Sequence, residues 1–210
     1  MILPLGALGH GTNVGEFAPF LGVTKNIVQR CYWTMNKKPF LCDIASMKRL
    51  FIVRHGKADP FGGTPDIERQ LTDRGRGDAT ALGHWTKEVR ELGAPLLVSP
   101  AIRTRTTANI LCQTWEESVD NMTIESNAYL ASDRAWLSWI NDWDDTWSSG
   151  WVVGHNPGLS ELVERLTDQP MWLPTCGLAE VELQVDSWAE AFAGTGRLRG
   201  LFTPKSAMLP

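Results

Sequence analysis

The sequence predicts an α/β fold: a three-layer α/β/α sandwich built on a mostly parallel sheet with an antiparallel edge. Short apolar runs, typical of buried parallel strands, alternate with segments in which apolar residues recur every three or four positions. Turn-forming glycines and prolines separate the two kinds of segment. The chain has 210 residues, of which 43% are hydrophobic, so it can bury the core of one such domain.

The predicted strands differ in how they are expected to be buried. The runs LFIV at 50–53 and WVVG at 151–154 are continuously apolar, as strands covered on both faces are. Val181, Leu183 and Val185 instead alternate with polar residues, which indicates a strand with one exposed face. The full set of predicted strands is 50–53, 95–98, 122–125, 151–154, 181–185 and 197–203.

A helix is predicted after each of the first four strands. The first begins near Thr72 and ends at Gly93, and the second carries Pro100 in its first turn, where proline is favoured. The third covers 133–143 and the fourth follows residue 154. The apolar face of the first helix is formed by Ala79, Leu82, Trp85, Val89 and Leu92. Strands and helices that alternate in this way favour a sheet with helices on both faces.

Half of the ten tryptophans fall on predicted helix faces, which favours packing in the core over contact with a ligand. These are Trp85, Trp115, Trp136, Trp139 and Trp143. Trp172, in the loop after the fourth helix, is instead a candidate for the rim of a pocket.

Residues 1–46 differ from the rest of the chain. They are rich in glycine and proline, show no helical or alternating periodicity, and lack the basic region and small-residue cleavage site of a secretory signal. A transit peptide is compatible with the scarcity of acidic residues, although arginine is scarce as well. Met47 begins the sequence MKRLFIVRHG, which reads as a natural start. We therefore expect 1–46 to be a poorly ordered extension or an upstream-start artefact, and 47–210 to be the domain.

The composition argues against several function classes. A net charge of −4 disfavours binding to a nucleic acid, and no apolar run approaches the ~18 residues of a membrane span. The four cysteines are scattered without a CxxC pair, which predicts neither a zinc site nor a disulfide framework and favours a cytoplasmic location. No metal or other cofactor is expected, and the sequence indicates no oligomeric state.

Basic residues follow three of the predicted strands. Arg54 and His55 come at the end of the first strand, Arg103 lies in the helical turn after the second, and His155 follows the fourth. Ligands of open α/β sheets bind at the carboxyl ends of the strands, so we expect these four side chains to lie together. His84, inside a helix, and His10, in the N-terminal extension, are not expected in the site.

These residue types suit phosphoryl transfer. Arginine offers always-charged donors that match phosphoryl oxygens, and helix N-termini add backbone N–H groups. A histidine that is partly neutral near pH 7 can attack phosphorus, while a second can stabilise charge on the phosphoryl oxygens. The pattern therefore predicts His55 or His155 as a nucleophile in a phosphate pocket.

At these residues the sequence resembles the histidine phosphatase superfamily, which has a phosphoglycerate mutase-like fold, and within it the SixA-type phosphohistidine phosphatases. The resemblance runs from about residue 47 to 205. It rests on LFIVRHGKAD (50–59), ERQLTDRG (68–75), VSPAIRTRTTA (98–108), VVGHNPGLSELVERLT (152–167) and RLRGLFTPK (197–205). It implies that His55 is the phosphorylated nucleophile and that Arg54, Arg103 and His155 form the phosphate pocket. Thr104 and Thr106 depart from the usual alanine and glutamine, with little expected effect on the chemistry.

The resemblance also draws attention to a missing acid. Mutase-like members carry a general acid after the third strand, where SNAYLASDRAW (126–136) has no glutamate and Asp133 suits a helix N-terminus. Acid phosphatases carry it directly after the second histidine, where Asn156 stands. Asp59, Asp66 and Glu68 remain as either an acid or residues of loop structure. Because an imidazole leaves with little help from an acid and an alkoxide does not, this pattern favours P–N substrates.

The leading hypothesis is a phosphatase that acts through a phosphorylated His55 on phosphohistidine of a protein. The alternatives are a phosphomonoesterase of a small metabolite and a non-catalytic phosphate-binding module. The expected partner is a phosphorylated protein or a small phosphorylated substrate, with no nucleic acid and no membrane.

Overall fold

The computed structural model describes residues 47–60 and 62–204, so the predictions for 1–46 lie outside the described residues. The strands are β1 (Lys48–Arg54), β2 (Leu96–Val98), β3 (Met122–Ile124), β4 (Ser149–Gly154), β5 (Leu178–Leu183) and β6 (Gly196–Phe202). The helices are α1 (Asp73–Thr86), α2 (Ile102–Trp115), α3 (Asp133–Asn141) and α4 (Gly158–Thr167). All the predicted elements are therefore present, with ends that differ by a few residues.

The strands form a six-stranded sheet in the order β3-β2-β4-β1-β5-β6. β3, β2, β4 and β1 are parallel, whereas β5 is antiparallel to β1 and β6 is antiparallel to β5. This arrangement confirms the predicted mostly parallel sheet with an antiparallel edge. No helix in the described part of the chain is long and apolar enough to cross a membrane.

Both faces of the sheet are covered by helices, as predicted. Because successive side chains of a strand point to opposite faces, Leu50 and Ile52 of β1 pack in one buried cluster and Phe51 and Val53 in another. The first cluster contains residues of α3 and α4, and the second contains residues of α1 and α2. Neither face of β1 meets water at residues 50–53, which explains why this part of the strand is continuously apolar.

The first helix is shorter than predicted. It begins after Thr72, whose hydroxyl accepts a 3.0 Å hydrogen bond from the N–H of Gly75, but it ends at Thr86 and a 3-10 turn follows. The buried stripe runs through Ala79, Leu82 and Thr86. The predicted apolar face was wrong for two residues outside this stripe, since Trp85 is 50% and Leu92 is 71% exposed.

The second helix begins at Ile102, two residues later than its proline suggested. Ala101 is the N-cap residue with an extended backbone, so Pro100 lies before the helix and not in its first turn. Arg103 is nevertheless the second residue of α2, which fixes its side chain at the start of the helix. Of the tryptophans predicted to pack in the core, Trp115 and Trp136 are buried.

Candidate active site

The register of β1 and β4 brings the two predicted histidines together. Arg54 pairs with Gly154 at the ends of these neighbouring parallel strands, so His55 and His155 leave the sheet side by side. Their ring centroids are 5.2 Å apart. Arg103 lies between them, because its Nε is 3.3 Å from Nε2 of His55 and its Nη2 is 3.3 Å from Nδ1 of His155. These three side chains are buried, and Arg54 directly precedes His55 in the sequence.

His55 is held with one nitrogen free of a proton. Its Nδ1 lies 2.7 Å from the carbonyl oxygen of Gly56, which can only accept, so Nδ1 carries the proton and Nε2 keeps its lone pair. Burial lowers the pKa of His55 to about 4, and the positive charges of Arg103 and Arg54 act in the same direction, against the hydrogen bond to Gly56. The imidazole is therefore neutral near pH 7, which a nucleophile requires.

Close backbone contact fixes the position of the loop after His55. A Cβ at Gly56 would lie 2.6 Å from the carbonyl oxygen of Gly75 in α1, so no larger side chain fits without movement of one backbone. The N–H of Gly56 donates to Oγ1 of Thr107 in α2 at 3.0 Å. Both helices on this face of the sheet thus hold the His55–Gly56 segment.

His155 has the opposite tautomer. Arg103 Nη2 donates to Nδ1, which must therefore accept, and Nε2 keeps the proton that it donates to Oγ of Ser99 at 2.7 Å. Burial lowers the pKa of His155 to about 3, with further lowering by the charges of His55 and Arg103. The sequence placed Ser99 at the end of β2 but gave it no role, and the structure shows that it orients His155.

Asp66 completes the contacts of Arg103. Its Oδ2 accepts from Arg103 Nη2 at 2.8 Å, its backbone oxygen accepts from Arg103 Nη1, and its Oδ1 accepts from Arg69 at 2.7 Å. Hydrogen bonds from Tyr129 and then Arg69 lower the pKa of Asp66 well below its ordinary value. Asp66 is therefore an ionised acceptor in this arrangement and holds no proton to donate. Asp59 and Glu68, also considered as acids, are exposed.

Tyr129 was missed in the sequence. Its hydroxyl donates to Oδ2 of Asp66 at 2.6 Å, its ring stands edge-on to His155 at 5.5 Å, and the Arg103 guanidinium lies 5.9 Å from the ring. The hydrogen bond to Asp66 raises the pKa of Tyr129. A signal existed in the sequence, because Tyr129 follows β3 at the same edge of the sheet as the other site residues, although a tyrosine is neither basic nor a carboxylic acid.

Arg54 presents a donor that its surroundings do not use. Its Nη1 donates to the carbonyl oxygen of Leu173 at 2.8 Å, whereas its Nε is buried without a hydrogen-bond partner among the described residues. Burial lowers the pKa of Arg54, but a guanidinium stays charged near pH 7. A buried unpaired N–H is costly, so an anionic oxygen that accepted from it would be stabilised.

The positive charges of the site outnumber its negative charge. Arg69 and Arg103 donate to one carboxylate, that of Asp66, and Arg54 adds a third positive charge next to His55 in the sequence. The N-terminus of α2 adds backbone donors beside Arg103. Within 47–60 and 62–204, no group of three metal-ligating side chains could hold a metal ion. The arrangement suits a dianionic phosphoryl group beside a neutral imidazole.

Known families and structures resemble this chain in sequence and in fold. Residues 50–128 match the histidine phosphatase superfamily (branch 1), over the part of the chain that contains Arg54, His55 and Arg103. Over these residues the chain is similar to the histidine phosphatase superfamily. This finding confirms the resemblance seen in the sequence.

Similar proteins match most of the length of the chain. An uncharacterized chloroplastic protein of Arabidopsis thaliana is 27% identical over 180 residues, which span 77% of this chain and 80% of that protein. A structure from Agrobacterium tumefaciens assigned as the phosphohistidine phosphatase SixA is 24% identical, with a TM-score of 0.63 over 75% of this chain and 98% of that chain. A mycobacterial glucosyl-3-phosphoglycerate phosphatase is 14% identical, with a TM-score of 0.51 over 73% of this chain and 97% of that chain. Both solved structures share the fold, and the cytoplasmic location expected from the cysteines stays a prediction.

Proposed function

We propose that this protein is a phosphatase that acts through a phosphorylated His55, and that its substrate is phosphohistidine on a protein. The observation that carries the proposal is the state of His55: it is buried and neutral, and its Nε2 lone pair lies 3.3 Å from Arg103. A phosphoryl group at Nε2 would lie beside a permanent positive charge. Arg54 and Arg103 are proposed to bind its oxygens. His155 is proposed to stabilise charge on them in its protonated form, which a dianionic phosphoryl group favours, because the proton of the neutral ring is donated to Ser99.

The first step transfers the phosphoryl group to the enzyme. Nε2 of His55 attacks phosphorus, and the bond between phosphorus and the leaving nitrogen breaks with its electron pair going to that nitrogen. The substrate ring departs as neutral imidazole when its other nitrogen carries a proton. His55 retains its Nδ1 proton, and the carbonyl of Gly56 accepts the hydrogen bond from the phosphorylated ring.

The second step releases phosphate. Water attacks the phosphorus of phosphorylated His55, the bond to Nε2 breaks, and the electron pair returns to that nitrogen. The protons of the water remain with the released phosphate and solvent. His55 returns to its starting tautomer, so the cycle consumes one water for each phosphoryl group.

The ionised state of Asp66 supports the choice of substrate. An alkoxide leaving group needs a proton as its bond breaks. The carboxyl group of Asp66, which contacts Arg103, accepts hydrogen bonds from Arg103, Arg69 and Tyr129 instead of donating one. An imidazole leaving group needs no such donor. The site therefore favours cleavage of P–N bonds over cleavage of alkyl phosphate esters.

The proposal is tested by trapping and by relative rates. Incubation with 32P-labelled phosphohistidine should place label on His55, His55→Ala should abolish it, and His84→Ala is the matched control because His84 is an exposed histidine of α1. We expect kcat/KM to be higher for phosphohistidine than for an alkyl phosphate. Equal or greater efficiency on the alkyl phosphate would support the phosphomonoesterase alternative, and phosphate binding without turnover would support a binding module. Undiminished turnover by His55→Ala would refute the mechanism.

A further inference from the structure

We propose that Trp172 forms a stacking platform that selects substrates with a planar leaving group, an inference that rests on the proposed function. Trp172 is 65% exposed and lies in the loop between α4 and β5. A single exposed apolar side chain is ordinary on a protein surface, so exposure alone assigns no role. The position of this indole relative to the phosphate-binding groups provides the argument.

The indole of Trp172 adjoins Arg54, a residue predicted to bind the phosphoryl group. The guanidinium carbon of Arg54 lies 5.9 Å from the centroid of the Trp172 ring, within cation–π distance. Arg54 also holds the buried Nε that has no partner among the described residues. A phosphoryl group that satisfied this donor would bring the rest of the substrate close to the indole.

The backbone beside the indole is fixed although its side chain is exposed. The carbonyl oxygen of Leu173 accepts from Arg54 at 2.8 Å and from Nδ2 of Asn156 at 2.9 Å. The N–H of Leu173 donates to Oγ of Ser160 at 3.0 Å, and the Leu173 side chain is fully buried. These contacts hold the platform at a set place next to the site, which lowers the entropy lost when a ligand stacks on it.

Two more exposed apolar side chains follow site residues in the sequence. Ile67 is 37% exposed and follows Asp66, while Leu130 is 54% exposed and follows Tyr129. We name Ile67, Leu130 and Trp172 the apolar rim, since each adjoins in sequence a residue that contacts the site. A cationic pocket with an apolar rim suits a ligand that is anionic at the phosphoryl end and planar and weakly polar at the other.

The reaction geometry directs the leaving group toward this rim. In an in-line displacement the leaving atom lies opposite the nucleophile, so the departing ring points away from buried His55 and toward the exposed end of the pocket. An imidazole or phenyl ring there can stack on the indole, and an alkyl chain cannot. Aromatic pairs gain about 0.5–1.5 kcal/mol beyond burial, which is a preference of about 2- to 13-fold.

Binding of phosphonates tests this without turnover, because a C–P bond is not hydrolysed. Dissociation constants of phenylphosphonate and methylphosphonate are measured for the wild type, Trp172→Phe and Trp172→Ala. Phe192→Ala is the control, since Phe192 is 62% exposed and lies in the β5–β6 connection at the opposite edge of the sheet. We expect phenylphosphonate to bind about 2- to 13-fold more tightly than methylphosphonate in the wild type and in Trp172→Phe. The ratio of the two dissociation constants should fall toward one in Trp172→Ala.

Each other outcome has a defined meaning. An unchanged ratio in Trp172→Ala overturns the proposal, and so does an equal weakening of both phosphonates, because the indole would then act only by positioning Arg54. The ratio does not depend on catalysis. Failure to label His55 would therefore overturn the proposed function and leave the stacking result standing, whereas a labelled enzyme with an unchanged ratio would overturn the platform alone.

Discussion

The rate at which His55 is phosphorylated should stay almost constant down to acidic pH values at which an ordinary histidine is protonated and no longer nucleophilic. Burial favours the neutral ring and lowers the pKa of His55 to about 4, from an ordinary value near 6.5. At about pH 5.5 a group with the ordinary pKa is only ~9% neutral, whereas a group with a pKa of about 4 is ~97% neutral. We therefore predict a roughly tenfold advantage of His55 over a solvated imidazole at that pH.

The assay follows incorporation of phosphate into the protein from phosphoramidate between about pH 4 and pH 8. Free imidazole treated with the same donor is the control, because dividing the two rates removes the titration of the donor itself. The ratio should rise as the pH falls from about 7 to 5, since imidazole is protonated and His55 is not. A constant ratio would mean that the pKa of His55 lies near that of imidazole, and it would refute the conclusion that burial lowers this pKa.

Three further predictions concern the supports of the site. Ser99→Ala removes the only acceptor found among the described residues for Nε2–H of buried His155, so the free energy of unfolding should fall by about 1–3 kcal/mol and kcat/KM should fall with it. Gly154→Ala would place a Cβ 2.5 Å from the buried ring of Trp136, and chemical denaturation should show a loss of about 1–3 kcal/mol. Acid should also destabilise the fold: the pKa values of His55 and His155 are about 4 and about 3, so below an unfolded value near 6.5 the unfolded chain binds more protons, and each histidine should cost about 2 kcal/mol at pH 5.

Matched variants separate these effects from general damage. Ser138→Ala, at an exposed position of α3, should leave stability and kcat/KM unchanged. Gly77→Ala should stabilise α1 by about 0.5–1 kcal/mol, because its Cβ would meet nothing within 4 Å and glycine is a weak helix former. For the acid prediction, a denaturation free energy that stays flat from pH 7 to pH 5 would contradict the lowered histidine pKa values.

The sequence was informative where local rules govern. Apolar runs marked the buried strands β1, β2 and β4, and Thr72 marked the start of α1 because a threonine hydroxyl can cap a helix. The positions of Arg54, His55, Arg103 and His155 followed from one topological rule, that parallel strands end at a common edge. The ends of helices and strands were harder to predict. The spacing of apolar residues continued past Thr86, but the chain forms a 3-10 helix there and Leu92 is exposed.

The residue types and their order along the chain determined the fold class and the four basic side chains of the site. Short stretches of sequence are enough for this, because they show which strands are buried and which residues follow each strand. Only the tertiary structure decided that Asp66 is an ionised partner of Arg103 and that Tyr129 joins them, since 37 and 63 residues separate these pairs and loop paths set their distance. It also decided the opposite tautomers of His55 and His155. Burial and the direction of individual hydrogen bonds set those states, and both exist only in the folded chain.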